Sequence, residues 1–175
     1  MADCSQRRRF FTLLLMFSLT DCKSRARRDR AIEAVQSKPE RTTAAEQLFR
    51  DINTVRQQHR APGLTWHAGA AELAQSHSDS MARRGFFSHT DPQRGDLAAR
   101  AKEARLRWSA IAENLFQQRG CPDLVRCAVE GWLNSAGHRR NMLNPEYTHT
   151  GIGISRDKGG VVYYTQILLA PASRA

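Results

Sequence analysis

Three short stretches carry more polar chemistry than packing asks for. They are Phe87-Ser88-His89-Thr90-Asp91-Pro92, Ile111-Ala112-Glu113-Asn114-Leu115, and the run from Trp132 through Asn134, Ser135, Gly137, His138 and Asn141 to Leu143. His89 stands two residues before Asp91, and an imidazole beside a loop carboxylate supplies either a metal site or an acid–base pair. The other histidines read more plainly. His77 falls on an apolar helix face as a satisfied core residue, His59 lies near a helix end where it complements the carbonyl dipole, and His67 and His149 sit in connections without a paired ligand. Asn114 has the amide to tie down loop backbone. Trp66, Trp108 and Trp132 are too scattered for a stacking platform and read as core anchors.

Each polar stretch needs an element to hold it. Thr43 with Glu46 makes a capping box, followed at helical spacing by Leu48, Ile52 and Val55, so a helix is predicted over 44–60, stopped by Pro62-Gly63. A second is predicted over 69–84 with Ala70, Leu73, His77 and Met81 on one side and Gly85 as its stop. A shorter one starts at Asp96, carrying Leu97, Ala101 and Ala104. The strongest of the later helices opens with Pro122 in its first turn, aligns Val125, Val129 and Trp132, and ends near 135–137. Residues 148–155 and 161–169 are apolar or β-branched runs joined by Asp157-Lys158-Gly159-Gly160, a hairpin signal. Helices followed by a terminal hairpin indicate an α+β fold.

The chain has 175 residues, enough for one domain with a short attachment. Its 41% hydrophobic and 25% charged residues exclude a collagen, a disordered chain or a polytopic membrane protein. The net charge of +10 invites a polyanion partner, but its location matters. Arg7-Arg8-Arg9 precede about ten apolar positions, Phe10 to Leu19, the anatomy of an export signal and too short for a bilayer span. Two Arg, a further residue and Phe resemble a twin-arginine signal; Leu19-Thr20-Asp21-Cys22 resembles a lipoprotein box with Cys22 as the lipidated residue, Asp21 standing where a small residue is usual; cleavage after Ala26 competes. We therefore divide the chain into an export signal (1–22), a basic disordered tether (23–42) and a folded domain (43–172). Only +5 of the charge falls within 42–175, with +4 in 22–41 and +1 in 1–21. Of the four cysteines, Cys121 and Cys127 lie in the folded part; they either pair and close a short loop or stand as a capping-region cysteine and a free thiol.

The order of a Ser-His-Thr-Asp loop, a Glu-Asn-Leu segment, then Trp132, Ser135, Gly137-His138-Arg139 and Asn141-Met142-Leu143, closing with Thr-Gly-Ile-Gly-Ile and Tyr-Tyr-Thr-Gln, resembles the bacterial branch of the CAP superfamily. That superfamily holds the cysteine-rich secretory, antigen 5 and pathogenesis-related proteins, and its module is also called the SCP domain. The likeness covers about 45–169. It implies a single-domain three-layer α-β-α sandwich with a cleft lined by two His and two Glu, which in some members binds a divalent metal such as zinc through the histidines. On that resemblance His89 and His138 are the imidazoles and the metal donors, and Glu113 is the first carboxylate.

The second carboxylate is replaced. The family places it three residues after the helix tryptophan, where this chain has Ser135. Glu130 lies about 160° around the helix from Trp132 and pairs at four residues with Arg126, as a solvated ion pair. Losing one carboxylate removes charge neutralisation and one partner that would orient a histidine, so weak or absent zinc is expected. A Ser, His and Glu hydrolytic set can be drawn through Ser135 and His138, or Ser88 beside His89, yet no oxyanion hole is marked and spacing does not place a hydroxyl on an imidazole.

The resulting expectation is an exported, non-catalytic binding or cell-envelope module with a cleft at His89, Glu113, Ser135 and His138. The alternative is a protease or esterase using His138 as base with bound metal or Ser135. Its expected partner is a cell-wall or other anionic envelope polymer; nucleic acid is excluded by export, and membrane contact runs only through the signal or a lipid anchor. Periplasmic, outer-envelope-anchored and secreted locations all satisfy these features.

Overall fold

The computed structural model describes residues 39–172. The expected export signal, the lipidation candidate Cys22 and most of the expected tether lie outside the described residues.

Five helices and four strands follow one another in the order α1 (Pro39–Gln58), β1 (Thr65–Trp66), α2 (Ala68–Arg84), α3 (Leu97–Glu103), β2 (Ala110–Arg119), α4 (Leu124–Asn134), α5 (Ala136–Leu143), β3 (His149–Arg156) and β4 (Val161–Ala170). Helix α1 begins five residues before the expected Ala44 and takes in residues assigned to the tether. Proline at a first helical position has no N–H to leave unpaired and a φ already suited to the helix, so Pro39 starts the element ahead of the Thr43 capping box. Helix α2 is capped by His67, whose ring Nδ1 accepts from the Ala70 N–H, and ends at Gly85 in the left-handed conformation at φ 67°. Asp96 caps α3 as expected. Asp123, not Pro122, opens α4, and Cys121 and Cys127 form a disulfide with Cα atoms 6.7 Å apart.

The strands form one sheet in the order β1-β3-β4-β2. β1 and β3 are parallel, whereas β3–β4 and β4–β2 are antiparallel, with Glu113 opposite Ile167 and Asn114 opposite Gln166. Alternation along β4 divides the core. Val162, Tyr164 and Leu168 join α1, α4 and α5 through Leu48, Ile52, Val129, Trp132 and Met142. Ile167 and Leu169 join α2 and α3 through Ala70, Leu73, Ala74 and Ala101, and Tyr163 joins Met81. Helices on both sheet faces give the three layers. Among the described residues, no helix is long and apolar enough to cross a membrane.

The spacing between α2 and the sheet is set by two glycines. A Cβ at Gly151 would lie 2.0 Å from the Ala71 N, and one at Gly153 would lie 2.2 Å from the Gln75 N. Helix backbone thus rests on strand backbone. The contact puts the Gln75 amide within reach of Ile154, accepting from its N–H at 3.1 Å and donating to its carbonyl at 3.0 Å, beyond the point where two-residue β1 can pair. Ser78 Oγ adds bonds to the Gly153 carbonyl and to Thr165 Oγ1.

On the other face, fully buried Arg56 ties α1 to the end of α5. Its guanidinium donates to the carbonyls of Pro62, Met142, Asn144 and Tyr147. Carbonyls after a helix C-terminus lack intrahelical partners, and the guanidinium supplies them.

Gly153→Ala should destabilise the domain by about 3 kcal/mol, because helix main chain cannot yield as a flexible side chain would. Gly137→Ala, where nothing lies nearer than 4.0 Å to the new methyl, should change stability by less than about 1 kcal/mol. Denaturant unfolding of the two variants beside the wild type checks both.

Candidate functional site

Glu113 is the centre of the site. On edge strand β2, Ile111, Glu113 and Leu115 point to the α2 layer, while Ala112, Asn114 and Phe116 point to the α4–α5 layer. The buried carboxylate is reached from several elements. His89 Nδ1 donates to its Oε1 at 2.9 Å, and Arg100 Nη2 donates to Oε2 at 3.0 Å and Oε1 at 3.2 Å. The same Nη2 donates to the His89 backbone carbonyl at 2.8 Å, fixing the loop that presents the ring. A carboxylate only accepts, so Nδ1 of His89 carries the proton and its Nε2 is left as an acceptor in neutral imidazole. That ring is the exposed member, with 60% of its side-chain surface open against 2% for Glu113.

His77 belongs to this cluster as well as to the core. It is fully buried, donates from Nε2 to the Ser88 carbonyl at 2.9 Å, and lies 4.0 Å from Glu113 Oε1. The expectation of a satisfied core histidine is half correct, since its Nδ1 has no partner among the described residues. Desolvation pushes its pKa down, and repulsion from Arg100 adds to that against the pull of Glu113. His77 is a neutral spacer beneath the His89 loop.

Asn114 organises the other side of β2. Its amide donates to the His138 carbonyl at 3.1 Å and to Gln166 Oε1 at 3.0 Å, and its oxygen accepts from Asn141 at 3.0 Å. These bonds hold α5, a helix not expected from the sequence, which marked only the end of the preceding helix near 135–137. The break between them is Ser135, at once the C-cap of α4 and the N-cap of α5. Burial lowers the His138 pKa, and repulsion from His89 lowers it further.

Neither serine is wired for attack. Ser135 makes no side-chain cap bond, and among the described residues its hydroxyl does not bond His138. Ser88 Oγ accepts from the Thr90 N–H, forming a turn. Nor do His89 and Asp91 pair. Asp91 is a buried loop anchor that accepts from Ser80 Oγ at 2.5 Å, Arg84 at 3.0 Å and the N–H groups of Gln93 and Arg94. Glu130 is exposed, with Arg126 at 3.5 Å, as expected of a solvated pair. His67 and His149, expected to be unconnected, face each other with ring centroids 5.9 Å apart. Trp132 is fully buried, whereas Trp66 is 37% exposed against the edge of Phe49, contrary to its reading as a core anchor.

Zinc with catalytic access takes three protein ligands. Glu113 is committed to Arg100 and His89, Ser135 replaces the second carboxylate, and among the described residues no group of three His, Cys, Asp or Glu side chains gathers around one point. Two imidazoles remain. The donor set does not fit a firmly held resident ion.

Arg100, Gln166 and the active part of His77 were missed from the sequence. Arg100 had left a trace: it lies three residues after Leu97 and next to Ala101, a cation beside the apolar stripe of a short helix. Buried in such a place, an arginine requires a carboxylate or carbonyls.

Comparison with known proteins gives a consistent result. The family model for CAP, the cysteine-rich secretory protein family, matches residues 49–168. The uncharacterized membrane protein YlbC of Bacillus subtilis is 36% identical over 138 residues, 78% of this chain and 37% of its own length. The uncharacterized protein YkwD of the same organism is 30% identical over 118 residues, 67% of this chain and 45% of its own. The chain therefore spans less than half of either relative. Among solved structures, an extracellular protein containing an SCP domain from Bacillus anthracis aligns with a TM-score of 0.67 at 32% identity, over 74% of this chain and 41% of that one. An outer surface protein from Borrelia burgdorferi also aligns at 0.67, over 74% of this chain and 94% of its own, at 14% identity, a likeness of fold alone.

Asp91 makes the site's scaffold acid-sensitive. Burial pushes its pKa up, but the Ser80, Gln93 and Arg94 donors and the Arg84 charge outweigh this and bring it from an ordinary 3.8 to about 2. A depressed carboxyl contributes stability above its unfolded-state pKa and loses it as pH falls through the folded value. Asp91→Asn should therefore be less stable than the wild type by about 2 kcal/mol above pH 5, with the difference shrinking from pH 4 and vanishing near pH 2; unfolding measured across pH 2–7 checks this.

Proposed function

This chain belongs to the CAP, or cysteine-rich secretory protein, family, and on that premise we propose that it is an exported, envelope-associated binding module whose cleft at His89, Glu113 and His138 receives a ligand without transforming it. The observation that carries the reading is the commitment of Glu113. Its charge is matched by Arg100 and its orientation is fixed on His89, so it is not free as a base or as a metal ligand. What the cleft offers a ligand is the acceptor Nε2 of exposed His89 and the half-buried ring of His138, on a frame of buried amides. Neither serine hydroxyl is bonded to an imidazole, which removes the usual means of activating it.

Export is supported by the basic and apolar head of the chain and by the extracellular and outer-surface descriptions of its structural neighbours. The ligand we assign is a component of the cell envelope. Cell-wall fragments are the corresponding probe.

Titration of the isotope-labelled chain with solubilised cell-wall fragments should shift the resonances of His89, His138 and their neighbours, and His138→Ala should weaken binding by at least about tenfold, the loss of about 1.4 kcal/mol. Absence of shifts at the cleft would overturn the reading. Zinc content after equilibration should be well below one per chain in the wild type, His89→Ala and His138→Ala alike; one equivalent lost in both variants would make the cleft a metal centre. Hydrolysis of peptide or ester substrates that disappears in His138→Ala would instead favour the hydrolase alternative.

A further inference from the structure

A second concave surface lies away from the His–Glu cluster, between the last turn of α2 and the β3–β4 hairpin. It is an open groove of about 940 Å³ lined by Asp79, Arg83, Arg84, Arg156, Asp157 and Lys158. Arg119, on β2, reaches the same hairpin, its Nη2 lying 3.1 Å from where a Cβ would stand on Gly159.

The carboxylates in this groove are already occupied by neutral donors. Asp79 accepts from the Gln75 amide at 2.9 Å. Asp157 accepts from the Val161 N–H at 2.9 Å and from the Tyr163 hydroxyl at 3.4 Å, bonds that shape the hairpin turn. Arg84 is spent on Asp91. Arg83, Arg119, Arg156 and Lys158 are all exposed, and among the described residues none of them forms an ion pair. Elsewhere in the domain Arg94, Arg100 and Arg126 each have a carboxylate, while exposed Arg60, Arg105, Arg107, Arg139 and Arg140 form no ion pair among the described residues and do not line this groove. The C-terminal dipole of α2 accounts for a cation at Arg83. It does not account for Arg156, Lys158 or Arg119, which belong to strands and a turn.

We propose that this groove is a second binding site, for a linear polymer of repeating anionic groups, phosphate or carboxylate. Guanidinium forks at Arg83, Arg119 and Arg156 match the oxygens of either group bidentately, and Lys158 adds a point charge at the turn. Openness suits a chain passing through the groove rather than a small molecule enclosed by it. The site is independent of the cleft and uses none of its residues. It gathers four exposed, unpaired cations on one surface of the domain.

The full-length chain tests this by titration with long-chain inorganic polyphosphate and with polygalacturonate, using inorganic phosphate as the monomeric control. Arg83→Glu with Arg156→Glu should weaken polymer binding by at least tenfold. Arg126→Glu with Arg139→Glu, an equal change of charge at exposed positions outside the groove, should weaken it less than threefold. Thermal melts confirm that both variants fold. If four groove cations contact the polymer, affinity should fall by about 50-fold between about 50 and 200 mM salt. Polyphosphate binding alone assigns the site to phosphate polymers, and polygalacturonate binding alone assigns it to carboxylate polymers. Equal losses in the two double variants, retention of affinity in the groove variant, binding of neither polymer, or tighter groove-dependent binding of duplex DNA would overturn the proposal.

Discussion

Helix α2 lies on β3 with main chain against main chain, and the two glycines of Thr-Gly-Ile-Gly-Ile are the condition for it. The consequences run in both directions along the helix. Towards its middle, the approach aligns Gln75 and Ser78 with β3, so side chains finish an edge that a two-residue strand leaves open. It also places His77, between them, below the His89 loop, and further along Ser80 and Arg84 around Asp91. A methyl group on either glycine would move all of these groups outward together.

Buried charge is handled in two distinct ways. Glu113 and Arg100 neutralise each other, and the pair is shared with the exposed His89 ring, which makes that ring the place where internal electrostatics meets solvent. Such pairs add little net stability because desolvation offsets their attraction, but they define where each partner must sit. Among the described residues Arg56 has no carboxylate partner and relies on carbonyl oxygens. A guanidinium can do this because its five N–H donors are spread over three nitrogens in a plane, whereas a lysine ammonium offers three from a single nitrogen.

Local patterning made most of the scaffold legible. The apolar spacing of α2 ended at Gly85, Asp96 capped α3, and Asp157-Lys158-Gly159-Gly160 joined the last two strands, because each signal acts within a few residues. Strand β2 was hidden for a physical reason. It is an edge strand whose two faces meet different layers, so buried Glu113 and Asn114 interrupt the alternation that would otherwise mark it. The end of α4 near Ser135 was legible, whereas α5 was hidden because its eight residues are mostly polar and bury only Met142. Ordered motifs singled out His89, Glu113 and His138, and the structure adds Arg100 on the Glu113 carboxylate, a contact thirteen residues apart in sequence that no local rule anticipates.

Arg56 grips only main-chain oxygens of Pro62, Met142, Asn144 and Tyr147. Side-chain identity at those positions is therefore separate from the grip itself. The loop after α5 can change its side chains while it stays registered to α1. The seam makes the position of that loop a property of the main chain, set by one side chain of α1.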